Sequence, residues 1–181
     1  MIEGLAAFVA WLGAALVVLS DGRRGLALGL ALVTLGLTAL AWSEGEAVGA
    51  AALFIGGSVA AIQRLRSGGV AGWGLMPAGS TPRLLLCVAV GLVALWFAAS
   101  VTLGPGAPLR FAGLAVLGLM GARSLESTDR AVVLASVAGV ALAVAAATAM
   151  SATAPGPAPY VVGALVAAGV MFLPQPEPHA A

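Results

Sequence analysis

Residues 25–42 read GLALGLALVTLGLTALAW, eighteen positions without one ionisable side chain. As an α-helix rising 1.5 Å per residue the run is about 27 Å long, close to the roughly 30 Å hydrocarbon core of a bilayer. Charge resumes on both flanks, with Asp21, Arg23 and Arg24 before it and Glu44 and Glu46 after it. Ionisable groups are costly in hydrocarbon, so the pattern predicts one membrane-spanning helix. Working outward, comparable runs lie near 4–20, 46–62, 84–103, 109–122, 131–151 and 159–173, which makes about seven crossings. The fifth and seventh are short for a perpendicular crossing.

Composition agrees with this reading. The 181 residues are 61% apolar and 8% charged with a mean hydropathy of +1.10, whereas soluble domains carry about a quarter charged residues. The predicted fold class is all-α, a polytopic membrane helix bundle forming a single integral membrane domain over 1–181. Within it we distinguish a first three-helix unit (1–62), a cytoplasmic connection (63–83), a linking helix (84–103), a second three-helix unit (104–173) and a cytoplasmic tail (174–181). The N-terminal run lacks a basic leader and continues into further spans, so it is expected to be a retained helix rather than a cleaved signal.

Orientation follows from the arginines, which are all eight of the basic residues. Taking alternate loops as cytoplasmic puts Arg23, Arg24, Arg64, Arg66, Arg83, Arg123 and Arg130 on one side and Arg110 on the other. The positive-inside rule then places the N-terminus outside and the C-terminus in the cytoplasm. The expected location is a bacterial cytoplasmic (inner) membrane.

The two three-helix units share one arrangement, and a single linking span between them would give both the same orientation. A parallel 3+1+3 repeat is one explanation; similar hydropathy among alanine-rich helices is the other. The connection QRLRSGGVAGWGLMPAGSTPR is either an amphipathic hairpin, with Trp73, Leu75 and Met76 in the interface or on a partner, or a plain linker. Prolines and glycines in LGPGAPLR and SATAPGPAP predict tight external turns.

Small residues carry the packing expectation, because lipid gives apolar helices no hydrophobic reason to associate and close backbone approach must supply dispersion contacts. Candidate packing positions are Gly25 and Gly29, Gly49, Gly56 and Gly57, and Gly113, Gly118 and Gly121. Packing within the chain is the first expectation and docking to a partner the second. Trp11, Trp42, Trp96 and Tyr160 are candidate interfacial anchors, with Trp11 and Trp96 set deeper.

Few groups suggest chemistry. The intramembrane polar residues are hydroxyls (Thr34, Thr38, Ser58, Ser100, Thr102, Ser136 and Thr148), which ordinarily bond a carbonyl of the preceding turn; their alternative is a polar seam between helices. His179 is the single histidine and Cys87 the single cysteine, so neither a bis-histidine haem site nor an intrachain disulfide can form. No catalytic, cofactor-binding or metal-binding residue is expected. Glu44 with Glu46, and Glu126, Asp129 and Arg130, read as solvated turns, with Ser127 or Thr128 as the N-cap of the sixth helix. A net charge of +1 gives no support for a nucleic-acid partner.

The first three spans resemble the three-helix K subunit of respiratory complex I and the C subunits of multisubunit sodium/proton antiporters. GLALVTLG (Gly29–Gly36) is similar to that group's Gly-Leu-Glu-Leu core, and ALFIGGSVAAI (Ala52–Ile62) to its small-residue third helix. A doubled form with a linking helix resembles component E of hydrogenase-4 complexes. Ala31 stands where the group has its second-helix Glu, and Ser58 or Val59 where another Glu belongs. The resemblance therefore implies a subunit without proton-relay carboxylates.

Taken together, the leading expectation is a noncatalytic accessory membrane subunit of a larger energy-converting complex, respiratory, hydrogenase or antiporter-like. Its expected partners are the lipid bilayer and other integral membrane subunits. The alternative is a small transporter or channel for an uncharged or lipophilic solute, which needs hydroxyls converging on a path. A lipid-acting membrane enzyme is disfavoured, since no intramembrane acid or histidine is present.

Overall fold

The computed structural model describes residues 1–67, 72–77, 79–101, 106–151 and 156–173. Seven α-helices follow one another: α1 (Ile2–Leu19), α2 (Arg23–Ser43), α3 (Ala47–Arg66), α4 (Thr81–Trp96), α5 (Ala107–Glu126), α6 (Arg130–Ser151) and α7 (Ala158–Val170). A π-helical turn, Phe97–Val101, extends α4. Five segments are long and apolar enough to cross a membrane: α1, α2, α3, α4 with its π extension, and α6. α5 carries Arg110, Arg123 and Glu126 within its twenty residues, and α7 has only thirteen.

Helix ends refine the boundaries drawn from hydropathy. α3 continues to Arg66 and α4 begins at Thr81, where Pro82 occupies the first turn, a position in which its missing N–H costs nothing. α5 likewise starts at Ala107 with Pro108 behind it. The N-cap of α6 is Asp129 rather than Ser127 or Thr128: its carboxylate accepts the Ala131 N–H at 2.8 Å, and the Ser127 hydroxyl accepts the Asp129 N–H at 3.2 Å. Thr102, the cores of both predicted external turns and the tail with His179 lie outside the described residues.

The helices stack as two rows. α1, α2 and α3 pack side by side, as do α5, α6 and α7, and the rows meet with α1 on α5, α2 on α6 and α3 on α7. α4 lies at the edge, against α5 and α1. Apolar side chains from both rows form one buried core, in which Leu26, Leu30, Leu37, Leu53, Leu119 and Leu142 are wholly buried. Leu28, Leu35, Phe54, Ile55 and Leu92 point outward and remain exposed, the distribution expected when the surrounding solvent is hydrocarbon.

Close approach between helices depends on missing side chains. A Cβ on Gly29 would sit 2.6 Å from a Val17 methyl, and one on Gly36 2.6 Å from the Ala6 carbonyl oxygen, so the α1–α2 seam admits no larger residue there. Trp11 joins α1 to the edge helix: its indole N–H donates to the Cys87 carbonyl at 3.3 Å, and the ring lies over Gly91.

Residues 72–77 of the long connection fold back on the α1–α2 turn. Asp21 N–H donates to Gly74 O (3.0 Å), Arg24 N–H to Gly72 O (3.1 Å) and Met76 N–H to Leu19 O (2.9 Å). α2 has no side-chain cap, and the Gly72 carbonyl satisfies one of the N–H groups a helix start leaves open. Gly74 adopts φ +53° with Gly22 directly against it. This part of the connection is therefore held in place rather than a plain linker, and Trp73, Leu75 and Met76 are each about half exposed on its surface.

Candidate functional site

Charged side chains gather at the two ends of the bundle. One end holds Asp21, Arg23, Arg24, Arg64, Arg66, Arg83, Arg123, Glu126, Asp129 and Arg130, all at helix termini or turns. The other holds Glu3, Glu44, Glu46 and Arg110.

Four residues of the arginine-rich end form a closed ring. Arg83, in the first turn of α4, reaches Asp21 at 3.2 Å through Nη1 and Glu126 at 3.2 Å through Nε. Arg123, in the last turn of α5, reaches Asp21 through Nη2 and Glu126 at 3.7 Å through Nη1. Each arginine thus bridges both carboxylates, using the forked donor geometry that a lysine lacks. The ring ties the α1–α2 turn to α4 and α5, joining the first unit to the edge helix and the second unit. Arg123 is 2% exposed, so its charge is compensated inside the protein rather than by water. Arg64, at the end of α3, is equally buried and lies within electrostatic reach of Asp129 and Arg23.

The predicted packing glycines fall into distinct settings. Gly29 faces α1; Gly49 lies under the Tyr160 ring and Gly56 against Ala164, both on α7; Gly57 meets Thr34 on α2; and Gly118 faces Val90 on α4. Gly113 is buried in α5. Gly25 touches Ser20, at the end of α1, and the Trp73 backbone, so its contacts are with the α1 C-cap and the folded-back connection. A Cβ on Gly121 would meet nothing within 4 Å, so that position is open. Further helical glycines in close contacts, Gly13, Gly36, Gly91, Gly139 and Gly163, were not singled out by the sequence, because the residues that approach them lie on other helices.

The aromatic anchors divide as well. Trp42 and Trp96 are exposed near the ends of α2 and α4, and Trp11 is partly buried between α1 and α4. Tyr160 is 2% exposed against Gly49, which makes it a packing residue rather than a lipid-facing anchor.

The hydroxyls divide by hydrogen-bond partner. Thr34 donates to Leu30 O at 2.8 Å and Thr148 to Val144 O and Ala145 O at 3.0 Å, the back-bonding of helical hydroxyls. Thr38 and Ser136 depart from that expectation, since their buried hydroxyls have no hydrogen-bond partner among the described residues, and Ser100 is exposed. Among the described residues no three His, Cys, Asp or Glu side chains come together as a metal site.

No family model, curated protein or solved structure matches this chain. The residues themselves therefore carry the functional argument. What they build is a pair of ionic end caps around an aliphatic interior, with a positive surplus at one end.

Proposed function

We propose that this chain is a noncatalytic accessory subunit of a larger energy-converting membrane complex, whose helices support those of its partners. The observation that carries the proposal is the interior. Leu26, Leu30, Leu37, Leu53, Leu119 and Leu142 are wholly buried in one aliphatic core, and the described Asp, Glu and Arg residues sit at the two ends. A relay subunit needs ionisable groups at membrane depth, and a solute pathway needs a hydrated or polar route. The resemblance to the complex I K subunit and its relatives points the same way, with Ala31 in the position of the relay glutamate.

In this reading the chain crosses the membrane seven times, with the arginine-rich end in the cytoplasm and the Glu44–Glu46 turn outside, as the positive-inside rule requires. The stacking of α1 on α5, α2 on α6 and α3 on α7 supports a parallel repeat joined by α4.

The test is purification from the native membrane in a mild detergent, with companions identified by mass spectrometry. Large redox or antiporter-like subunits at fixed stoichiometry are expected. A chain that emerges alone, or only with copies of itself, contradicts the proposal and favours the small-transporter alternative, which solute flux into reconstituted vesicles would then establish.

A further inference from the structure

Between α2 and α3, at the arginine-rich end, a groove of about 490 Å³ opens onto the surface of the bundle. Its walls are Ala27, Leu28, Ala31, Ala61, Ile62 and Leu65, and Arg24 and Trp73 complete its lining. The three alanines leave the hollow; the larger side chains form its rims. We infer that this groove holds one acyl chain of an anionic phospholipid whose phosphate pairs with Arg24.

Charge selects the headgroup. Of the described residues, this end carries seven arginines against Asp21, Glu126 and Asp129. Asp21 and Glu126 are held by Arg83 and Arg123, and Asp129 caps α6. Among the described residues no carboxylate pairs with the exposed Arg24, so a negative group at the groove completes it. Basic pockets between membrane helices bind anionic headgroups for this reason.

Length selects a lipid over a helix. Along α2 the groove runs from Arg24 to Ala31, about 10 Å at 1.5 Å per residue, less than half of a roughly 30 Å hydrocarbon core. A partner helix crossing the bilayer would need contacts along the whole span, whereas a lipid occupies one leaflet. Trp73 marks the interfacial level, where indoles favour the headgroup boundary. It is also fixed relative to Arg24, because the Arg24 N–H donates to the carbonyl of Gly72, next to Trp73.

The test is native mass spectrometry of the purified protein titrated with phosphatidylglycerol or with phosphatidylcholine of identical acyl chains. The parent should prefer phosphatidylglycerol by about fivefold, the ratio that one basic residue near an anionic headgroup supplies. Arg24→Gln should abolish that preference, Ala31→Phe should fill the groove and reduce binding of both lipids, and Arg130→Gln, at an exposed arginine outside the groove, should leave the preference intact. The inference is overturned if the parent binds both lipids equally, if Arg24→Gln keeps the parent's preference, if Arg130→Gln loses it to the same extent, or if Ala31→Phe, folded as judged by its thermal melt, binds as the parent does. The Arg24 arm uses an exposed side chain and is readable even if the Ala31 variant fails to fold.

Discussion

The Arg123 guanidinium, at the end of α5, closes on the Asp21 carboxylate in the α1–α2 turn, while Arg123 keeps only 2% of its surface accessible. Two segments about a hundred residues apart are therefore joined by a charge that cannot fall back on water. Removing one partner of a buried pair is more damaging than replacing both, since it strands the other charge.

Asp21→Asn should lower stability by about 2 kcal/mol, below the 3–5 kcal/mol seen for fully buried pairs because Asp21 is one-third exposed and Glu126 still contacts Arg123. Asp21→Asn combined with Arg123→Met should cost less than Asp21→Asn alone. Thermal unfolding in detergent, arranged as a double-mutant cycle, measures this; strictly additive losses would show that the pair is not coupled.

Gly56→Leu and Gly57→Leu should each destabilise the bundle by about 1–3 kcal/mol through overpacking, since their new side chains would enter Ala164 on α7 and Thr34 on α2. Gly121→Leu should be tolerated, because the space beside it is open. The same melting experiment separates them. Equal effects at all three positions would mean that glycine content, and not close approach, sets stability.

Trp11→Phe retains an aromatic ring but loses the donor to the Cys87 carbonyl, and should cost about 1 kcal/mol, the usual worth of such a bond. Gly91→Val, by displacing the indole, should loosen α4 further. Hydrogen exchange on α4 amides reports both, and unchanged protection in Gly91→Val would contradict the anchoring role.

Gly74→Val meets two obstacles, a left-handed backbone and the adjoining Gly22. It should release residues 72–77 from the α1–α2 turn and leave the helices intact. Faster protease cleavage within that segment, with unchanged helical circular dichroism, is the expected result; cleavage at the parent's rate would show that the backbone pairing is not what holds the segment.

Much of the architecture is legible in one sequence, because a run such as 25–42 has few physical alternatives to a membrane helix. The pairing of helices is not. Gly56 announces that something comes close, but only the fold says that it is Ala164, since dispersion contacts carry no chemical label. Arg123 and Arg130 look alike in sequence, both arginines beside the same turn, yet one is buried in an ion-pair ring and the other exposed. The difference is a partner from far along the chain, Asp21 in the α1–α2 turn, which pairs with Arg123. Trp73 was visible as an interfacial candidate, whereas the carbonyl pairing that fixes its segment involves backbone atoms that every residue shares.

In the topology proposed above, the two charged ends of this bundle lie on opposite sides of a membrane crossed seven times. Single cysteines placed in a Cys87→Ala background at Glu44, Thr128, Ala158 and Leu173, probed with a membrane-impermeant thiol reagent in intact cells and in inverted vesicles, test it most directly. Labelling of positions 44 and 158 only from outside and of 128 and 173 only from the cytoplasmic side is expected; positions 44 and 128 reacting from one side, or 158 and 173 doing so, would contradict the proposed topology.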